Sequence, residues 1–229
     1  MDEKKRLTLL SLPLLQGISA LDMSHILLEE VNTQEVTLND GDILVSQGDV
    51  CQHLIFLVEG TLEATTVYHH KSYSFVEFLT GPLVIEPDVL YGIQRHFQSS
   101  YAAMGSCRLL LIPKGDVNRK LFKIDVFRLN YLNLLSTLAV RRREYALPLP
   151  TPDLKARVSN FFARHSMQAS GRMIFNIRMR DMAQYLDASR VLISNALHQL
   201  EDEGLLVLNR TYIEIPLVER LNRQENEYV

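Results

Sequence analysis

From about residue 31 to 113 the apolar positions come in short runs, "ILV", "HLIFLV", "TLEATTV", "SFVEFL" and "CRLLLI". They are separated by "NDGD" (39–42), "SQGD" (46–49), "VEG" (58–60) and "LTGP" (79–82). Many short strands with turn residues between them predict an antiparallel sandwich or jelly roll. Gly41, Gly48 and Gly60 each follow Asp, Gln or Glu, where a turn of positive φ is easily supplied. After Pro113 the period changes. "KGDVNRKLFK" leads into a helix over about 125–145, whose apolar residues split into two faces. Phe127, Tyr131, Leu134 and Leu138 recur at spacings of four, three and four, the seam of a short coiled coil. Val126, Leu129, Leu132, Leu135 and Ala139 form a neighbouring face. One helix with two apolar faces suggests its own β-domain on one side and a second copy of the chain on the other. Burial of the whole helix inside a monomer is the alternative.

Pro148, Pro150 and Pro152 cannot continue that helix and mark a hinge. Beyond it come an amphipathic helix (about 153–168), a loop at "QASGR", a short strand "MIFNIR" and then "MRDMAQYLDASRVLISNALH" (179–198). This last stretch reads as two helices around a sharp turn at "LDAS". Met182, Ala183 and Leu186 face inward on the first, Ile193 and Leu197 on the second. Asp187 stands where such turns commonly use Gly, and Asp tolerates the left-handed conformation better than most side chains. Ser189 is placed to cap the second helix. The spacing fits a helix-turn-helix, whose second helix presents its amino-terminal residues to base edges in the major groove. Arg190 offers two donors to guanine, Asn195 a donor and an acceptor to adenine, and Ser194 a phosphate or base contact. Arg178 and Arg180 are candidate phosphate anchors. "LLVLNRTYIEIP" alternates around Asn209-Arg210, a two-stranded wing whose tip Arg210 reaches for backbone phosphate.

Composition adds bounds. The chain has 229 residues, 47% hydrophobic and 22% charged, which suits one large or two ordinary domains. Its formal net charge is −3, so nothing global announces nucleic acid. The acidic excess lies in residues 1–146, because residues 147–229 carry equal numbers of each sign. Arg164, Arg172, Arg178, Arg180, Arg190 and Arg210 precede or flank the second helix, while Glu201-Asp202-Glu203 lie beyond its far end. A local basic face of this kind suits phosphate docking, although a solvated charged face would look the same. The amino end places basic residues before apolar ones, as a signal peptide does. Pro13, Gln16, Asp22, His25 and Glu29 break that run before it could span a bilayer, which points to a cytoplasmic protein without membrane association. Two cysteines, Cys51 and Cys107, are too few for a disulfide framework and read as small apolar residues.

The order β-roll, seam helix, winged helix-turn-helix resembles the cyclic-AMP receptor protein / Fnr (Crp/Fnr) family of bacterial transcription regulators. The resemblance rests above all on "NDGDILVSQGDVCQHLIFLVEGTLE" (39–63) and "DMAQYLDASRVLISNALHQLEDEGLL" (181–206). It implies an α+β chain with a cyclic-nucleotide-binding-like β-roll (1–120), a dimerisation helix (121–147) and a winged helix-turn-helix (148–229). It also implies a homodimer on a palindromic operator, interplay with RNA polymerase, and an effector sensed in the roll. Departures follow. Where the family's recognition helix often reads Ser-Arg-Glu-Thr-Val-Ser-Arg, this chain has "SRVLISN". Val191 can touch only a thymine methyl, so the operator is expected to differ from the family's usual one and to be richer in A·T opposite Asn195.

Cyclic-nucleotide binders of this fold use a Gly-Glu turn for the ribose and an Arg-Ser or Arg-Thr pair for the phosphate. Here Ile85 precedes Glu86, Pro87 follows it, and the Arg position falls on Phe97 with Gln98 next. Arg95 is out of register by two. The candidate effector pocket is Glu86, Arg95, Gln98 and Ser99. An anionic phosphate without a positioned cation loses its charge-assisted bonds, which argues against cyclic AMP and leaves another small molecule or none. An iron–sulfur cluster needs about four thiolates. Haem needs an axial ligand, for which His25, His53, His69, His70 and His96 are available, but lone histidines in β-loops are more often simply solvated. Two other readings stay open: a regulatory module whose winged helix contacts protein, and a jelly-roll metal enzyme. Against the latter, the adjacent histidines of "YHHKSYSFVEF" point to opposite strand faces, and no nucleophile–base motif occurs.

Overall fold

The computed structural model describes residues 9–24, 31–68, 73–146, 153–166 and 170–222. His25, His69, His70, the proline hinge at 148–152, part of the "QASGR" loop and the tail from 223 lie outside them. The chain forms two compact units, Met1–Glu63 with Leu79–Val140, and Ala64–Phe78 with Arg141–Val229.

The first unit is the expected roll. Strands β1 (Gln34–Leu38) and β2 (Ile43–Val45) both pair antiparallel with β6 (Ser100–Pro113), in registers Val36↔Leu109 and Ile43↔Ala102. β6 neighbours β3 (His53–Tyr68), on which β5 (Leu83–Ile85) also pairs, Phe56 opposite Val84. β4 (Tyr73–Thr80) follows β3. Leu54, Phe56, Leu62, Leu109 and Ile112 are buried in the core, and along 54–57 β3 is covered on both faces. The turns at "NDGD" and "SQGD" are present, each closed by a backbone bond and an aspartate accepting from the turn's first amide. The turn expected at "VEG" is not: β3 runs straight through it, and Gly60 sits inside a strand at φ +101°. A glycine there permits a close backbone approach, since an added Cβ would meet the Ser106 carbonyl oxygen at 2.6 Å.

Helix α1 (Lys114–Arg119) and the long helix α2 (Asp125–Ala146) follow. Asp116 ties α1 down, accepting from the Asn32 amide and pairing with Lys120, and the amide bond holds its carboxyl below the usual range. On α2 the face read as the seam to a second copy turns into the chain's own unit. Phe127 and Tyr131 are fully buried among Phe122 and Tyr91 of their own unit, and Tyr131 donates to the carbonyl of Pro87. Leu134 and Leu138 are half-buried on the same side. At 3.6 residues per turn, Val126, Leu129, Leu132 and Val140 lie on the opposite side, exposed, Leu129 at 60% and Leu132 at 54%. Phe127 and Tyr131 therefore cannot serve as the seam to a second copy. They are spent on the roll.

The second unit has a four-strand run, β4–β7–β9–β8, with β7 (Met173–Ile177), β8 (Val207–Leu208) and β9 (Ile213–Ile215). Its helices are α3 (Leu154–Ala163), capped by Asp153, then α4 (Met179–Tyr185), α5 (Arg190–Asp202) and α6 (Val218–Asn222). The sequence boundary at about 148 misses one component. The far half of the β3–β4 pair, Ala64–Phe78, belongs to this unit. β4 pairs with β7 from Tyr73↔Ile177 to Glu77↔Met173, and Tyr73 and Phe75 enter the same core as Phe161, Phe162, Phe175, Ile193 and Leu197.

Candidate nucleic-acid interface

The helix-turn-helix forms as its residues dictate. α4 ends at Tyr185 with Leu186 as its C-cap, and Asp187 takes the left-handed conformation at φ +45°. The chain then recrosses α4 with the Ala188 amide donating to the Ala183 carbonyl at 3.0 Å. Arg157 of α3 donates to the carbonyl of Leu186, securing the turn from behind. Ser189 is extended, and its hydroxyl accepts from the Leu192 amide at 3.2 Å, the expected N-cap. Ile193, Ala196, Leu197 and Leu200 bury one side of α5 against α3 and α4.

The opposite side of α5 is what remains for a partner. Arg190 and Asn195 are exposed and Ser194 is half-buried. Val191 (69% exposed) and Leu192 share the first turn with Arg190. Sequence reading singled out Val191 but missed Leu192, whose place two residues after Arg190 was the available signal. Of the flanking basic residues, Arg178 is exposed at the start of α4 and Arg180 bonds its neighbour Asp181 at 3.2 Å. Arg210 is exposed at the wing tip, where the Asn209 amide donates to the Tyr212 carbonyl at 2.9 Å. Glu201 holds the wing to α5 by accepting from the Leu208 amide. Arg164 and Arg172 have other work: Arg164 lies over the Tyr185 ring, and Arg172 pairs with Glu214 while covering Phe78. Exposed donors and apolar side chains on one helix, with cations at a helix start and a wing tip, can meet both base edges and phosphates.

The candidate effector residues come together only in part. Glu86 is buried, and its carboxylate accepts from the Gln98 amide (2.8 Å), the Ser99 amide (3.1 Å) and the Tyr101 hydroxyl (2.8 Å). Burial pushes its carboxyl up from the ordinary value, with the three hydrogen bonds opposing. The Gln98 side chain instead donates to the His96 carbonyl. Arg95 does not join. β6 begins only at Ser100, so Arg95 lies on no strand face and its side chain is exposed; its carbonyl accepts from the Cys51 amide. Cys51 and Cys107 are buried, and burial raises the Cys51 thiol. Among the described residues no group of three or more His, Cys, Asp or Glu side chains is placed to hold a metal, and no helix is long and apolar enough to cross a membrane.

Comparisons with known proteins agree with this layout. The model of the cyclic nucleotide-binding domain matches residues 35–123, and that of the Crp-like helix-turn-helix domain matches residues 156–224. No curated protein matches the sequence. Among solved structures, the catabolite activator protein of Thermus thermophilus is 22% identical over 95% of this chain and 100% of that one, with a TM-score of 0.50. DNR of Pseudomonas aeruginosa is 19% identical over 97% of this chain and 98% of that one, at 0.46. FixK2 of Bradyrhizobium japonicum is 14% identical over 83% and 96%, at 0.43. At such identity the first shows the fold alone, and nothing rests on the other two. The two domain matches, in this order and over most of the chain, do more: the chain belongs to the Crp/Fnr family of DNA-binding transcription regulators, not to a family of enzymes.

Proposed function

We propose that the protein acts as a homodimer that reads a palindromic operator with α5 and so controls transcription by RNA polymerase. The observation that carries this reading is the exposed set Arg190, Val191, Leu192 and Asn195 on a helix whose other side is fixed in a core. Two copies pair through the apolar face of α2 that the roll leaves uncovered, Val126, Leu129, Leu132 and Val140. An operator with half-sites one turn of DNA apart asks for recognition helices about 34–36 Å apart. Arg190 selects guanine, Asn195 adenine, and Val191 a thymine methyl. The matched half-site is thus mixed, with A·T pairs opposite Asn195.

Selection of bound duplexes from a random pool tests the reading. An inverted repeat is expected, with affinity falling as salt rises by a log–log slope of about −0.9 per phosphate contacted. A pool that yields no enriched duplex at low ionic strength, or binding indifferent to salt, would refute it. Arg190→Ala should cost about 1–3 kcal/mol per half-site and relax discrimination at one base pair, read by competition between single-base operator variants. A uniform loss over all sequences would make Arg190 a phosphate contact instead. Leu129→Glu should place a charge in the pairing face and give a monomer by sedimentation, with operator affinity falling to the non-specific level. A dimer that persists would move the pairing face elsewhere.

A further inference from the structure

We propose that Glu86 is a built-in anion: its carboxylate fills the donor cradle of the roll, so that the roll takes no anionic effector and the regulator reads DNA without one. The DNA half of this statement rests on the function proposed above; the cradle does not.

Two successive backbone N–H groups and a hydroxyl aimed at one point make an anion-binding concavity. In a domain whose family model is that of cyclic nucleotides, the ligand brings such an anion in its phosphodiester. Here the three donors, from Gln98, Ser99 and Tyr101, already converge on Glu86, and all three are neutral. A second anion would have to displace a carboxylate that is only 9% exposed, or sit beside an uncompensated negative charge. The backbone agrees. Glu86 lies at φ 35° and ψ 57°, a left-handed conformation that a side chain of this size adopts only where its surroundings over-determine it. Its carboxylate bonds supply that determination.

The position also communicates. The Tyr131 hydroxyl of α2 donates to the carbonyl of Pro87, the next residue, and Tyr131 packs on Tyr91 and Phe122. Phe97 and Tyr101 stack edge to face beside the cradle. Glu86 thus fastens the loop 85–89 to β6 on one side and presents it to the long helix on the other. That is the arrangement a bound effector would otherwise have to create. A ligand shifts an equilibrium only by unequal affinity for its two states, and a tethered carboxylate supplies that bias permanently.

The test uses the full-length protein and its Glu86→Ala and Glu86→Gln variants. Acetate, a free carboxylate, is the probe. Glu86→Ala should melt below wild type, and sodium acetate should raise its melting temperature saturably while sodium chloride at equal ionic strength does not; wild type should not respond. On the selected operator, wild type should bind with no small molecule present, and cyclic AMP or inorganic phosphate should change its affinity by less than about twofold. Glu86→Ala should lose about tenfold of specific affinity, partly recovered by acetate. An affinity that climbs about tenfold with cyclic AMP or phosphate, or a Glu86→Ala protein indifferent to acetate, overturns the proposal. Should Glu86→Ala not fold, Glu86→Gln reads the same cradle, because its amide sets a donor against the Gln98 or Ser99 N–H. Hydrogen exchange at those two amides should then speed up about tenfold, and unchanged exchange refutes the role of Glu86. If wild type binds no operator at all, the DNA reading fails while acetate and exchange still judge the cradle.

Discussion

Phe75→Ala should destabilise the winged-helix unit by about 3–5 kcal/mol, although the residue belongs to the strand-rich stretch that precedes the long helix. The reason is where its ring goes. Phe75 is 2% exposed, stacked on Phe175 at 5.5 Å and edge-on to His165 at 5.7 Å, within the core that holds Ile193 and Leu197 of the recognition helix. Its neighbours fix it there. Tyr73 and His165 share a hydrogen bond of 2.7 Å, Ser166 donates to Glu77, and the Phe78 amide donates to the Arg172 carbonyl. Removing the ring leaves a cavity bounded by paired strands, which cannot close over it, so the cost should lie toward the upper end for Phe→Ala. Hydrogen exchange resolved along the chain checks this. Amides of α5 and β9 should lose protection while those of β1 and β6 keep theirs. The reverse pattern would return the strand to the roll. Operator affinity should fall with the protection of α5, because an unfolding equilibrium subtracts from binding.

That contribution was not legible in the sequence, and the reason is physical. "YSFVEF" alternates as any half-buried strand does, and alternation says that one face is covered without saying by what. Pairing of Phe75 with Phe175 is set by tertiary packing across a hundred residues, which no local pattern carries. The same ambiguity hid which face of α2 turns inward, since both stripes are apolar and only the roll's shape decides that it is Phe127 and Tyr131. Short-range chemistry fared differently. The left-handed Asp187, the Ser189 cap, the inward Ile193 and Leu197 and the wing around Asn209-Arg210 each depend on a few neighbouring residues, and each forms as read. The outer surface of α5 was legible for the same reason. The effector residues lie between these cases: the missing Arg was visible, but the bonds from Gln98 and Ser99 to Glu86 come from backbone amides that no residue type announces.

Gly60→Ala should cost the roll about 3 kcal/mol, as the sum of a strained φ and an overpacked contact. Gly41 supplies the comparison, because it shares the first penalty without the second. Gly41 stands at φ +80° with nothing within 4 Å of an added Cβ, so Gly41→Ala should lose about 1 kcal/mol from backbone conformation alone. At Gly60 the φ is +101°, and an added Cβ would lie 2.9 Å from Cys107 Cα and Sγ besides its clash with the Ser106 oxygen. Those atoms cannot yield cheaply. Cys107 is registered opposite Leu38 in the β1–β6 pairing, and its thiol donates to the Thr61 carbonyl at 3.0 Å. Chemical denaturation of the two variants, followed by exchange at β6 amides, decides the matter. Equal losses would mean that Gly60 serves only as a bend. A loss at Gly60 two to three times that at Gly41 would show that this glycine is there to let β3 and β6 touch.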